Sequence, residues 1–325
     1  MDRTTIEQLS SAGKRVLDNV ERVIVGKSSA VEMVLVAIFC EGHVLLEDVP
    51  GIGKTMLARA VAKSLGCSFR RVQSTPDLLP SDITGTYLYN QKTSEFEFRA
   101  GPVFAQVLLA DEINRATPRT QSALLEAMEE RQVTVEGDTR LLPRPFIVLA
   151  TQNPIELEGT FPLPEAQLDR FLMRLAVGYP SHEDELAILH RFVKSDPLPA
   201  LEAVADGSEL AALSQVTRSV HVSASLENYL LEITEATRRS EELMLGVSPR
   251  GSLALYRTAQ CLAALRGRGY VLPDDIQELL TPVLAHRLIL SSQARLRERT
   301  LGEVLRSIVE KVPVPVEESW SEKAR

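Results

Sequence analysis

Apolar residues recur at helical spacing from Ile6 to Val25 (Ile6, Leu9, Val16, Leu17, Val20, Val23, Ile24) and again from Val31 to Phe39, with Gly26 between them. That period predicts two helices broken at the glycine. Beyond them the pattern changes to short runs rich in branched residues: HVLL at 43–46, FRRV at 69–72, VLLA at 107–110, FIVLA at 146–150 and RLAV at 174–177. A helical or loop segment follows each run, the alternation expected of an α/β fold with a mostly parallel, buried sheet. Two stretches interrupt it, TYLYNQKTSEFEFR at 86–99 and VTVEGDTRLL at 133–142. Each reads as paired strands around a polar turn (Asn90, Gln91 and Lys92; Gly137 and Asp138), so both are predicted as hairpins inserted into the sheet domain.

After Tyr179-Pro180 the strand signals stop. Helical patterns follow at 183–194, 223–239, 250–266 and 273–289, with SDPLPALEAVADG at 195–207 as a loop between the first two. The domain boundary is therefore placed near Pro180.

Composition narrows the class. A chain of 325 residues, 44% hydrophobic and 25% charged, has the make-up of a soluble globular protein. The start, MDRTTIEQLSSAGKRV, lacks the apolar core of a secretory signal, and the longest apolar run, MVLVAIFC at 33–40, is too short to span a bilayer. A cytoplasmic protein is expected. A net charge of -8 gives no overall attraction to nucleic acid or to an anionic membrane, although a local basic patch would not be visible in that sum. Cys40, Cys67 and Cys261 lie far apart with no C-x-x-C pair, which points to buried structural thiols rather than to disulfides or a metal site.

The candidate chemistry begins at LLEDVPGIGKTMLARA, 45–60, which fits the phosphate-loop pattern G-x-x-x-x-G-K-[ST] except that Asp48 stands in place of the first glycine. Such a loop works because successive backbone N–H groups form an anion nest backed by a helix N-terminus. Gly51 and Gly53 let the backbone wrap a phosphate, Lys54 neutralises its oxygens, and Thr55 can coordinate magnesium. Pro50, Ile52 and Met56 complete the set of candidate nucleotide contacts. The loop follows a predicted strand and opens a predicted helix, the context such a site requires. A carboxylate facing phosphates would repel them, so the Asp48 side chain is expected to turn away and bond backbone amides of the loop.

A second element, VLLADEIN at 107–114, is an apolar strand ending in two carboxylates. Asp111 sits where a contact to magnesium is needed. Glu112 can orient and deprotonate an attacking water, a role worth ~10²–10⁴-fold in rate. A third, FIVLATQNP, puts Asn153 after another strand, where an amide can bind a γ-phosphate and the lytic water as donor and acceptor. Alone, this asparagine reads better as a turn or cap residue before Pro154, and the other two elements favour the catalytic reading.

Together with LLADEINRATPRTQSALLEAMEERQVTV, ATQNPIELEGTFPLPEAQLDRFLMR, SPRGSLAL and YVLPDDIQELLTPVLAHRLIL, these stretches make the chain resemble the MoxR family of AAA+ ATPases, from about Val23 to Leu290. The resemblance implies a P-loop AAA+ core with a parallel central sheet and inserted hairpins over 1–180, and an all-helical lid domain over 181–325. It implies an ATPase that uses ATP and Mg2+. Arg170, in LDRF, matches the arginine finger that reaches the γ-phosphate of the neighbouring subunit, and Arg250, in SPRG, matches the second sensor on the lid. A finger acting in trans implies a homo-oligomeric ring, a hexamer. Val25 and Gly26 match the stretch that packs against adenine, though a core contact explains them nearly as well.

By the same resemblance, ATP hydrolysis would drive chaperone-like remodelling or maturation of a client protein, with hairpins that contact substrate or partner and with a von Willebrand factor A-domain protein alongside. No such domain is visible in the sequence, so that partner is expected as a separate polypeptide. Three other readings share the ATPase core: a nucleic-acid motor or transcription regulator, a magnesium-chelatase-like motor subunit, and a nucleotide-binding scaffold without turnover. The acidic balance and the lack of an appended DNA-binding motif argue against the first, and TQSALLEAMEE fits MoxR better than the second.

Overall fold

A computed structural model of the chain describes residues 3–154, 159–193 and 196–315. Lys194 and Ser195, at an expected helix–loop junction, and residues 155–158, within the third motif stretch, lie outside the described residues. The chain divides into two compact units.

The first unit, Gln8–Gln215, is built on a five-stranded sheet. Its strands are β1 (Val44–Glu47), β2 (Phe69–Gln73), β5 (Val107–Asp111), β8 (Ile147–Gln152) and β9 (Met173–Leu175), ordered β2-β5-β8-β1-β9 and parallel throughout. Central strands of such a sheet are covered on both faces, which is why VLLAD in β5 is buried at every position. Two antiparallel hairpins are inserted as expected: β3 (Gly85–Asn90) with β4 (Glu95–Ala100), and β6 (Gln132–Val135) with β7 (Asp138–Leu141). The second turn is Glu136-Gly137, one residue earlier than the sequence suggested, with φ of 50° and 89°, the doubly left-handed geometry that matches strand twist.

Around the sheet run α1 (Arg3–Glu21), α2 (Ser28–Phe39), α3 (Lys54–Ser64), α4 (Pro80–Thr84), α5 (Pro118–Glu130), α6 (Glu165–Leu168), α7 (His182–Phe192) and α8 (Gly207–Thr217). Leu108, Val148 and Phe146 pack with Leu124, Leu125 and Met128 of α5 into one buried cluster. Each fully buried side chain of that size contributes about 1.5–3 kcal/mol. Cys67 is buried as expected, while Cys40 is only half-buried.

The boundary expected near Pro180 falls inside this unit, because the chain after Pro180 is bonded back to earlier elements. Asn19 Nδ2 of α1 donates to the Glu202 carbonyl at 2.9 Å, and Val204 N donates to the Ser64 carbonyl of α3 at 2.9 Å. Helix α8 was not foreseen.

The second unit runs from Val216 onward and takes in the first turn of α1. It contains α9 (Ala224–Arg239), α10 (Pro249–Leu265), α11 (Pro273–Leu284), α12 (Ser292–Leu296) and α13 (Leu301–Val309). One correction to its all-helical character is a short antiparallel ribbon of β10 (Leu243–Leu245) and β11 (Ile289–Leu290). The helix expected over 273–289 ends at Leu284, just past Pro282, and the chain then enters that ribbon. No helix among the described residues is long and apolar enough to cross a membrane.

Candidate functional site

The three sequence motifs converge because β1, β8 and β5 are parallel neighbours, so their C-terminal ends share one edge of the sheet. The loop after β1 enters α3 through Gly53, which has φ 91° and stands immediately before the first residue of that helix. Gly51 has φ 86°. Both conformations favour glycine, and a Cβ added at either position would meet nothing within 4 Å. The loop is therefore an open cradle over a helix N-terminus, a ready anion site.

A cavity of about 400 Å³ opens there, lined by Pro50, Gly51, Gly53, Lys54, Thr55, Met56, Asp111, Glu112 and Asn153. Thr151, Arg59 and Arg71 also line it, and none of these three was foreseen. Ile52 lies in the loop without lining the cavity, and neither do Val25 and Gly26. Gly26 instead faces Asp184, whose carboxyl carbon would lie 2.2 Å from an added Cβ. The break between α1 and α2 is nonetheless tied to the chain after β9, since Lys27 Nζ donates to the Tyr179 carbonyl at 2.8 Å.

Asp48 turns its carboxylate into backbone. Oδ1 accepts from Val49 N at 2.9 Å, within the loop as expected, and Oδ2 accepts from Gly178 N at 2.5 Å, which the sequence did not indicate. The Asp48 carbonyl takes Lys54 Nζ at 2.5 Å. Burial lowers the Lys54 pKa from its ordinary value, against the opposing pull of Asp48, Asp111 and Glu112.

The carboxylate pair is held from both flanking strands. Thr151 of β8 donates its hydroxyl to Asp111 Oδ1 at 2.5 Å and accepts from Glu112 N at 2.8 Å. Glu112 sits at φ 55°, ψ 51°, a left-handed conformation uncommon outside glycine, which turns its side chain out of the sheet. Its Oε2 accepts from Gln73 Nε2 at 2.9 Å and pairs with Arg115 at 3.1 Å. Asn153, just beyond β8, is buried at the cavity wall. The hard oxygens of Thr55 and Asp111 suit Mg2+, which takes few protein ligands and completes its shell with water and phosphate.

Two further expected residues, Arg170 and Arg250, also lie apart from the cavity lining. Arg170, following α6, pairs through Nε with Glu129 of α5 at 3.1 Å. Arg250 is exposed in the first turn of α10, within the second unit.

Strand order, the glycine cradle before α3 and the carboxylates after β5 define the class, a P-loop ATPase core of the AAA+ type. The model of the "ATPase family associated with various cellular activities (AAA)" matches residues 43–173, and that of an AAA lid domain matches 235–308. The chain is 51% identical over 305 residues to an uncharacterized protein, YeaC, of Bacillus subtilis, covering 94% of this chain and 95% of that one. It is 44% identical over 311 residues to "Chaperone MoxR1" of Mycobacterium tuberculosis, covering 93% and 82%. A crystal structure from Cytophaga hutchinsonii, described as a proposed ATPase, superposes with a TM-score of 0.90 at 38% identity, over 96% of this chain and 98% of that one. The chain belongs to the MoxR family of AAA+ ATPases.

Proposed function

We propose that this protein hydrolyses ATP in the cytoplasm at the subunit interfaces of a homo-oligomeric, hexameric ring, and that hydrolysis drives chaperone-like remodelling or maturation of a client protein. The observation that carries the reading is the meeting of Lys54, Thr55, Asp111, Glu112 and Asn153 around one cavity at the N-terminus of α3. Similarity to a relative named a chaperone supports the client half. A separate von Willebrand factor A-domain protein is the partner we expect, and the two inserted hairpins are the candidate contact with client or partner.

Phosphates in the cradle would receive backbone N–H groups, and Lys54 would leave the Asp48 carbonyl to pair with their oxygens. Thr55 and Asp111 would hold Mg2+, which supplies charge neutralisation of the phosphates. Glu112 takes the proton of the attacking water as its oxygen bonds the γ-phosphorus and the bond to the bridging oxygen breaks. Asn153 orients that water and the γ-phosphate. Arg170 of a neighbouring copy and Arg250 then face the charge that develops, an arginine finger being worth ~10³–10⁵ in turnover.

Phosphate release and nucleotide binding by Glu112→Gln test the reading. Turnover falls ~10²–10⁴-fold while the affinity for ATP stays close to that of wild type. Turnover equal to wild type removes Glu112 from the mechanism, and a wild-type chain that neither binds nor hydrolyses ATP removes the reading.

A further inference from the structure

Arg71 is the middle residue of β2, two residues before the strand ends at Gln73. In the register of β2 with β5, Arg71 stands opposite Leu109 and Gln73 opposite Asp111. Arg71 and Gln73 are two residues apart, so they project from the same face of the strand. The guanidinium reaches forward along β5. Its Nη2 and Nε lie 2.6 and 3.0 Å from one oxygen of Asp111, Oδ2. The other oxygen, Oδ1, already accepts the Thr151 hydroxyl. Both oxygens of the carboxylate assigned to the cation are thus taken by the protein's own donors.

The same Nη2 also donates to Gln73 Oε1 at 2.6 Å, and Gln73 passes the chain on to Glu112. Arg71 is therefore bonded directly to one carboxylate of the pair and through one amide to the other. Burial makes a charge partner for Asp111 necessary: its side chain is 12% exposed, and a carboxylate that is buried and unpaired is costly. Arg71 itself is 47% exposed, so its guanidinium can leave the pair without being stranded. It has somewhere to go, because it lines the same cavity as Lys54, Thr55 and Arg59.

We propose that Arg71 is the resident counter-cation of Asp111, displaced when a divalent ion binds and then turned toward the phosphates in the cavity. The proposal rests on the ATPase reading and adds a positioning residue to it. A guanidinium and a divalent cation repel each other at the separation that sharing Oδ2 would require, so they compete for it. Losing Arg71 then has opposite effects on two ligands. The cation meets less competition at Asp111, whereas phosphates offered without a cation lose a positive partner. A guanidinium that merely braced β2 against β5 would produce neither effect.

The test is Arg71→Met, which keeps the aliphatic stem, in the full chain. Mn2+ binding to the nucleotide-free protein is read by the electron paramagnetic resonance of the free ion. Binding of a fluorescent ATP analogue in excess EDTA is read by anisotropy. The variant is expected to bind Mn2+ about tenfold more tightly and the analogue about tenfold more weakly than wild type. Against an Asp111→Asn background, the same substitution is expected to leave Mn2+ binding unchanged. A thermal melt near that of wild type shows that the variant folds; if it does not, Arg71→Lys, which lacks the bidentate fork, serves, and it too is expected to bind Mn2+ more tightly than wild type. Mn2+ binding that is unchanged or weaker in the variants overturns the proposal and leaves the ATPase reading standing. Wild-type protein that binds no analogue, with or without Mn2+, overturns both.

Discussion

At the scale of single residues, the two buried contacts of His43 give the clearest pH signature. Val148 N donates to Nδ1 at 3.0 Å, and Nε2 lies 3.0 Å from the Met128 carbonyl, an arrangement that suits the neutral ring. Burial, with the nearby positive charge of Arg131, pushes its pKa down to about 4. The unfolded chain takes up a proton below about 6.5 and the folded chain only near the lowered value. This contribution to stability is therefore complete above pH 6.5 and is lost as pH falls toward 4, a swing of about 3 kcal/mol. Urea midpoints of His43→Leu are expected to decline much less over that window than those of wild type. An unchanged decline would show that other groups carry it. The same scale shows what the sequence could and could not reveal. Lys54, Thr55, Asp111 and Glu112 are legible because their chemistry depends on local spacing at a strand end. Thr151, Gln73 and Arg71 are not, because their contacts arise from the register of β8 and β2 against β5, a non-local fact.

At the scale of elements, the two hairpins are legible from their alternation and turns, but their mutual attachment is not. Arg140 of β7 donates to the Tyr87 hydroxyl of β3 at 2.8 Å and lies 4.1 Å over the Phe98 ring of β4. Tyr87 also bonds Asp138 at the start of β7. The hairpins are thus tied to one another, and either one should sense displacement of the other. Arg140→Ala is expected to raise amide hydrogen exchange along Glu95–Ala100 by about fivefold, the loss of roughly 1 kcal/mol of cation–π and hydrogen-bond energy. Protection as in wild type would mean that β3–β4 holds its place without β7. Helix α13 is an element the sequence did contain a sign of: Thr300 and Glu303 form a capping box at its start. The ribbon of β10 and β11 left none, since strands of two or three residues carry no period.

For the whole molecule, the motif stretches carry the resemblance to the family, and the division of the chain differs from the expected one at both ends of the first unit, Gln8 and Gln215. The expected boundary falls too early because contacts from the backbone of Glu202 and Val204 to α1 and α3 tie the stretch after Pro180 to the first unit, a non-local fact. The proposed completion of hydrolysis between subunits turns on Arg170, which in this single chain is paired with Glu129 beside its own core. Two inactive chains test it directly: Lys54→Ala, which keeps Arg170 but cannot bind nucleotide productively, and Arg170→Ala, which binds nucleotide but lacks the finger. If Arg170 acts in trans, mixing the two in equal amounts restores phosphate release well above the sum of the separate rates. A mixture no faster than that sum, with mixed oligomers shown to form, would contradict it.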